Sequence, residues 1–313
     1  MNQIGIVVIG KNEGKRLERC LETLIPLGKP IIYVDSKSHD QSVPFAKNLG
    51  LEVIVLDHNW PTAALSRNIG FERLMQIAPE TTLVQFVDGD CELDPDWLKS
   101  AEKVFDTEPQ VAIVAGILNE KDAHQNIYKR LSQIEWYRAM GEIDYTGGNF
   151  MMRAAVFQQI GGFNPLIYAA EDNDLGFRTR QHGWKIVQIN YRMAIHDSRI
   201  TDFKTFWERS MRTGYAFAQV YLTKRESAQP LLKREFYSTL FWGGLIPLVA
   251  VAGVVWSWWS LALLLAYPLL FLKIYVSMKE QWGSENAFWY AYGCIVGKFP
   301  ALLGILKYWW HFR

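Results

Sequence analysis

The apolar residues of this chain come in two textures. In its first part they form short unbroken runs: "IGIVVIG", "PIIYVD", "LEVIVLD", "TTLVQFVD" and "VAIVAGIL". Each has the length of a strand, and an unbroken run reads as a strand buried on both faces. Between the runs lie segments with helical spacing. "KRLERCLETL" puts Leu17, Leu21 and Leu24 on one face, and "TAALSRNIGFERLMQIA" is helical. Strands alternating with helices predict an α/β unit with a mostly parallel sheet covered on both faces. Ligands of such sheets bind beyond the carboxyl ends of the strands. The polar residues at those ends are Asn12 and Glu13 after the first strand, Asp35 after the second, and Asp88 and Asp90 after the fourth.

The second texture follows "KRESAQPLLKRE", Lys224 to Glu235. From Phe236 to Val276 the chain is apolar, and its first charge is Lys273. About 20 apolar residues span a bilayer, so the stretch suffices for two passes. "WSWWS", Trp256 to Ser260, sits in its middle. Tryptophan favours the headgroup zone, which predicts a membrane hairpin turning there; a buried hairpin in a soluble core is the alternative. Lys224, Arg225, Lys233 and Arg234 precede the hairpin, Lys273 and Lys279 flank its end, and the turn carries no charge. The positive-inside rule then puts both ends in the cytoplasm. Ala287 to Leu306 is apolar but holds Lys298 and Pro300. It reads as an interfacial helix, ending in "KYWWHFR", or as a third span. The expected division is an α/β domain over 1–223, a basic linker over 224–235, the hairpin over 236–276, and an interfacial or third membrane helix with the tail over 277–313.

Composition narrows the partners. A formal net charge of +1 over 313 residues argues against nucleic acid. Cys20, Cys91 and Cys294 show neither metal-ligand spacing nor a pairing pattern, which fits a reducing compartment. "MNQIGIVVIGKNE" reads as a first strand rather than a signal peptide, so the first half is expected in the cytoplasm. Neither G-x-G-x-x-G nor G-x-x-x-x-G-K-[ST] occurs, so bound phosphates would need another source of positive charge.

"FVDGDCELDPDWL" supplies a candidate. In an extended segment Asp88 and Asp90 point the same way, and Gly89 lets the backbone turn. Two hard oxygen ligands suit Mg²⁺ or Mn²⁺, held by carboxylates together with substrate phosphates. A polar loop is the plain alternative. Asp94-Pro95-Asp96 looks like an N-cap, a first-turn proline and a favourable first-turn charge.

"VVIGKNEGKRLERCLETL", "IIYVDSKSHDQS", "ALSRNIG", "FVDGDCELDPDWL", "GGNFMMRAAVFQQIGGFNP" and "EDNDLGFRTRQHGWKI" together resemble the successive signatures of family 2 glycosyltransferases of the GT-A type, over roughly residues 4 to 220. The resemblance implies a GT-A-like α/β catalytic domain. It places Asp35 against the nucleotide base, Arg67 against the nucleotide, and Glu13 near the ribose or base. Lys11 stands where the family often has tyrosine. Asn12 and Asp88 join the donor site, and Gly147 and Gly148 line the donor sugar. Asp88 and Asp90 hold the metal. Asp172 becomes the base that takes the acceptor proton in an inverting transfer, with Glu171 beside it; capping is the alternative for both. Asp174 and Arg178 form a structural pair at i, i+4. His196 is a further metal ligand or phosphate partner, against a purely structural role. Arg209 and Arg212 would meet the diphosphate or an anionic lipid, against a solvated helix face. The Gln-x-x-Arg-Trp block of processive relatives is absent, which implies a single transfer.

The expectation is a metal-dependent inverting glycosyltransferase using Mg²⁺ or Mn²⁺ at the inner membrane, its catalytic domain facing the cytoplasm. It would move one sugar from a nucleotide-diphospho-sugar to a lipid-linked or membrane-proximal acceptor. A sugar-nucleotide-forming nucleotidyltransferase and a non-catalytic membrane scaffold remain the rivals.

Overall fold

A computed structural model describes residues 2–58, 61–227 and 230–311. Positions 228–229 of the expected basic linker, and the last two residues of "KYWWHFR", lie outside the described residues. The chain divides into two compact units, one of residues 1–121 and 136–198, the other of residues 122–135 and 199–313.

The first unit is a sheet between helices. Its strands are β1 (Ile4–Gly10), β2 (Ile31–Asp35), β3 (Glu52–Val55), β4 (Leu83–Asp88), β5 (Cys91–Leu93), β6 (Val111–Glu120), β7 (Gly141–Glu142), β8 (Phe150–Arg153) and β9 (Lys185–His196). They order as β3-β2-β1-β4-β8-β6-β9-β5, with β7 beside β9. The expected parallel arrangement holds over β3-β2-β1-β4. β8 then runs antiparallel to both β4 and β6, β6 runs parallel to β9, and β5 and β7 pair antiparallel with β9. The sheet is therefore mixed.

The helices are α1 (Lys15–Leu24), α2 (Ser42–Asn48), α3 (Ala63–Ile77), α4 (Trp97–Thr107), α6 (Ala154–Gln159) and α7 (Glu171–Gln181), while α5 (Ile127–Trp136) belongs to the second unit except for Trp136. The unbroken apolar run of β1 serves two cores because side chains alternate across a strand. Ile4, Ile6 and Val8 pack with Leu17, Leu21 and Leu24 of α1 and with Trp97 and Phe105 of α4. Val7 and Ile9 pack on the other side with Phe71 and Leu74 of α3 and with Phe157 of α6. Trp97 is fully buried, and its indole N–H donates to Gln85 Oε1 at 2.7 Å. Gly70 faces β1 so closely that a Cβ there would collide with Val7.

The second unit is helical: α8 (Phe203–Lys224), α9 (Lys233–Thr239), α10 (Ile246–Ala252), α11 (Ala266–Val296) and α12 (Lys298–His311). α8, read from the sequence as part of the α/β domain, belongs here. It begins in a capping box, with Asp202 accepting from Thr205 N at 2.8 Å. It packs on α12 through glycines: a Cβ on Gly214 would strike the Ala301 backbone, and one on Gly304 the Met211 backbone. α9, a π-turn and α10 form one helical run, Lys233–Val255. It breaks at Trp256 and Ser257, and a second run covers Trp258–His311, kinked at Gly283 where φ is 78°. Both runs are long and apolar enough to cross a membrane. Trp256, Trp258 and Trp259 at the break are 85%, 76% and 85% exposed.

Candidate active site

The loops that follow β1, β2 and β4 emerge at one edge of the sheet, because these strands are parallel and adjacent. The strands that interleave antiparallel residues bring in the rest. β8 runs against β4 with Phe150 opposite Phe86, so the residues preceding β8 meet the end of β4. Asn149 accordingly binds Asp88 twice: its Oδ1 accepts from Asp88 N at 2.9 Å and its Nδ2 donates to Asp88 Oδ2 at 3.1 Å. Gly148 lies so close that a Cβ would collide with the Asp88 carboxylate and the Arg67 guanidinium. Around Gly147 the space is open.

A second convergence surrounds Asp90. β5 pairs with β9 so that Cys91 faces His196, and β6 pairs with β9 so that Glu120 faces His196. His196 Nε2 lies 3.2 Å from Asp90 Oδ2, and its Nδ1 lies 3.6 Å from Glu120 Oε2. The Trp136 indole meets the imidazole edge-on, ring centres 4.2 Å apart. Burial alone would depress the imidazole, but Asp90 and Glu120 outweigh it and push its pKa up to about 10. Asp90 is held below the ordinary carboxylate range: burial opposes ionisation, and His196 and Arg16 overcome it. Arg16 Nη1 reaches Asp90 Oδ2 at 3.3 Å and donates to Asp197 O at 2.6 Å, while its other arm pairs with Glu13. Cys91 is fully buried, and burial pushes its thiol far up, so it stays protonated and directs Sγ at Asp90 Oδ1, 3.5 Å away.

Asp88 and Asp90 do not share partners. The extended geometry expected of D-x-D stops at Asp88, the last residue of β4, and Gly89 and Asp90 form a turn. Asp88 turns to Arg67 and Asn149, and Asp90 to His196 and Arg16.

The third group is carried by α7. Arg67, 2% exposed on α3, donates from Nη2 to Asp88 Oδ1 and from Nη1 to Glu171 Oε1, both at 2.6 Å. Two flanking carboxylates hold its pKa above the ordinary arginine value despite burial. Asp172, half-buried beside Glu171, accepts from Asn173 Nδ2 at 3.2 Å. A helix N-terminus favours an ionised acid. Burial and the Glu171 charge nonetheless push Asp172 up to about 7, against the opposing Asn173 hydrogen bonds and Arg67 charge. That is where a general base at neutral pH is most effective. Asp174 and Arg178 form the expected pair, at 2.8 Å.

Other expected residues take local work. Asp35 is fully buried, and its carboxylate accepts from Ser38 N at 2.6 Å, Ser38 Oγ at 2.6 Å and Tyr33 Oη at 2.7 Å. It organises the turn after β2, so a base contact would require Ser38 to shift. Asn12, at φ 56°, joins the loops after β1 and β2: its N donates to Ser38 Oγ at 2.7 Å and its Oδ1 accepts from His39 N at 2.8 Å. Glu13 accepts from Lys11 N at 3.3 Å as well as pairing with Arg16. Asp94 is not the N-cap of α4. That helix begins at Trp97; Asp94 Oδ1 accepts from Asp96 N at 3.2 Å in the turn before it, and Asp94 Oδ2 accepts from Arg192 at 2.7 and 2.8 Å. Arg209 and Arg212 belong to the second unit, where Arg209 pairs with Glu135 and Arg212 is exposed. Arg16, Glu120, Trp136 and Asn149 are the contributors that sequence reasoning did not single out.

Comparison with known proteins agrees with this architecture. The profile of glycosyl transferase family 2 matches residues 5–161, and that of glycosyl transferase family 21 matches residues 130–294. No curated protein sequence matches the chain. Among solved structures, the mannosyltransferase PcManGT from Pyrobaculum calidifontis, in complex with GDP-mannose and Mn²⁺, is similar at a TM-score of 0.67 and 14% identity, over 99% of this chain and 88% of that one. Glucosyl-3-phosphoglycerate synthase from Mycobacterium tuberculosis, in complex with Mn²⁺, UDP and phosphoglyceric acid, is similar at a TM-score of 0.50 and 16% identity, over 70% of this chain and 78% of that one. At such identities the likeness speaks for the fold, which is that of GT-A glycosyltransferases. With half of its length matched by the family profile, the chain belongs to glycosyl transferase family 2 and is a glycosyltransferase.

Proposed function

We propose that this glycosyltransferase transfers a single sugar with inversion, from a nucleoside-diphosphate donor to an acceptor at the membrane surface. The observation that carries the reading is the placement of Asp172: a half-buried carboxylate poised near neutral pH, one residue from an acid tied through Arg67 to the end of β4. In this reading Asp172 accepts the proton of the acceptor hydroxyl as that oxygen attacks the anomeric carbon. Glu171 keeps the base basic by charge repulsion. Gly147 and Gly148 let the donor sugar approach the backbone. Asn12, Glu13 and Asp35 border the nucleotide through the loops they organise.

The donor set fits a divalent ion. Asp90 Oδ2 and His196 Nε2 stand 3.2 Å apart, close to the spacing of about 3 Å that adjacent ligands on a six-coordinate Mg²⁺-sized ion would have. Glu120 sits behind the other imidazole nitrogen, the arrangement that orients metal-binding histidines. A carboxylate and an imidazole suit Mn²⁺ at least as well as Mg²⁺. Asp90 and His196 would hold the ion, with Asp88 alongside. When bound, it supplies positive charge to the leaving diphosphate. That the similar Pyrobaculum mannosyltransferase is in complex with both GDP-mannose and Mn²⁺ supports this reading.

A membrane location is supported by the two apolar helical runs, whose most apolar windows are only 17% and 0% buried within the molecule. A soluble core helix would be mostly buried. The basic flanks support a reading in which both ends of the hairpin lie on the cytoplasmic side, and the proposed acceptor is lipid-linked or membrane-proximal. Arg209 and Arg212 remain candidates for contact with anionic groups of that acceptor. Nucleic acid is not a proposed partner.

The test is turnover of nucleotide sugars by the full chain in detergent, with and without Mn²⁺ or Mg²⁺. Metal-dependent release of nucleoside diphosphate, lost in Asp90→Ala and Asp172→Ala, is expected. Release of pyrophosphate would identify a nucleotidyltransferase instead, and nucleotide binding without turnover on any acceptor would favour a scaffold.

A further inference from the structure

α3 fastens the segment that leads to the base. Thr62 Oγ1 donates to Pro165 O at 3.3 Å. Asn68 clasps the Phe163 backbone from both sides, its Nδ2 donating to Phe163 O at 2.8 Å and its Oδ1 accepting from Phe163 N at 2.9 Å. α7 follows this segment. Its N-cap residue, Ala170, is left-handed at φ 64° and makes no side-chain cap. Glu171 in the first turn of α7 is held by Arg67, and Asp174 in the same turn is held by Arg178.

Arg67 itself is poorly placed to bind a ligand. Its side chain is 3% exposed, both terminal nitrogens are spent at 2.6 Å on separate carboxylates, and the Phe163 ring lies 5.3 Å from its guanidinium carbon. Its Nε is buried without a hydrogen-bond partner. A nucleotide contact would require breaking one of two buried, charge-assisted hydrogen bonds, which are the strong ones.

We propose that Arg67 is a positioning residue and not a nucleotide ligand: it ties the base-bearing end of α7 to the end of β4, with Glu171 on one arm and Asp88 on the other. This deepens the functional reading above and rests on Asp172 being the base. A lysine could carry the charge but could not span both carboxylates in a fork. The charged groups acting on Asp172 are Glu171, which opposes its ionisation, and Arg67, which favours it, with Asn173 adding a hydrogen bond that also favours it.

The two members of the pair therefore displace the base in opposite directions. In Arg67→Met the favourable cation is gone, and the acidic limb of the kcat–pH profile moves up by about one pH unit. In Glu171→Gln the repulsion is gone and the limb moves down. Arg67→Lys returns the limb towards wild type while kcat stays at least tenfold low, because the second carboxylate is unclasped. Donor KM changes by less than about threefold in all three. A tenfold or larger rise in donor KM for Arg67→Lys, with the limb unmoved, would make Arg67 a nucleotide ligand and overturn the proposal. So would limbs moving the same way in Arg67→Met and Glu171→Gln. If Arg67→Met does not fold, Glu171→Gln and Arg67→Lys decide the matter. The same displacements are read without turnover in the carboxyl-¹³C titration of Asp172. A wild type inactive on every donor would thus sink the functional reading, while the titration would still support or overturn the role of Arg67.

Discussion

Asp172→Asn should abolish transfer and, at the same time, make the protein more stable at alkaline pH. The carboxyl of Asp172 is displaced from its ordinary value of 3.8 to about 7. At about 1.4 kcal/mol per tenfold change in proton affinity, ionising it in the folded chain costs up to about 4 kcal/mol more than in the unfolded one. The sign follows from linkage. Below pH 3.8 both states hold the proton and nothing is lost. Between there and pH 7 the folded state retains a proton that the unfolded state releases, so stability falls as pH rises. Above pH 7 the loss is complete. Asparagine cannot ionise, so the variant should match wild type near pH 4 and exceed it by about 2–4 kcal/mol at pH 8. For a chain of this size that is a difference of several degrees in melting temperature. The measurement is paired thermal melts of the full chain in one detergent at pH 4.5 and 8, alongside nucleoside-diphosphate release. The wild-type rate should rise with pH and level off above about 7, as the base loses its proton. A variant retaining a tenth of wild-type transfer would remove Asp172 as base. A stability gap that stays constant with pH would show that its ionisation is not costly.

Gly148→Ala should unfold the donor edge of the site, because the new methyl has to displace the Arg67 guanidinium or the Asp88 carboxylate. A loss of about 1–3 kcal/mol is expected by chemical denaturation, whereas Gly147→Ala, with open space around it, should leave stability unchanged. Ser257→Cys places a thiol at the exposed break between the two apolar helical runs. In a Cys294→Ser background, a membrane-impermeant thiol reagent should label it from the non-cytoplasmic face of intact cells and not from inside-out vesicles, with Cys20 and Cys91 silent because they are buried; labelling from the cytoplasmic side alone would reject the hairpin.

The parts of the fold legible in the sequence are those in which one local period settles the outcome. Leu17, Leu21 and Leu24 lie on one face of α1, and the unbroken run of β1 feeds two cores, because helix and strand geometry leave those residues no other efficient burial. The acids at strand ends were legible for the same reason: a parallel sheet exposes its carboxyl edge. β5 and β7, of three and two residues, are too short to carry a pattern and exist only through their pairing with β9. The His196–Glu120–Asp90 cluster is a product of register between strands far apart in sequence, which no spacing records. Arg16 reads as a solvated helix residue, and only tertiary packing turns it towards Asp90. At Asp94 the local signal survives as a hydrogen bond from Asp96 N, and the assembled sheet adds an ion pair with Arg192 from β9 that no local pattern records.

The charge balance of the site supports the proposed divalent ion. Two chains of contacts meet at the end of β4. One runs Glu13–Arg16–Asp90–His196–Glu120, and the other Asp88–Arg67–Glu171, with Asp172 next along α7. The acids outnumber the cations, and the three cations are already committed to them. Burial keeps that excess from being screened by solvent: it pushes Asp88 up, and the nearby Asp90 charge adds to the push. A nucleoside diphosphate brings further negative charge to the same edge. Unaided, this edge would repel the donor. A divalent ion exchanged for the proton on His196 adds one net positive charge between Asp90 and the phosphates and leaves the Arg16 and Arg67 clasps intact. The acid-rich edge is thus a site that would admit its donor only in company with a metal, and donor affinity measured by calorimetry should fall at least tenfold on chelation. Equal affinity in chelator and in Mn²⁺ would mean that the cations already present suffice.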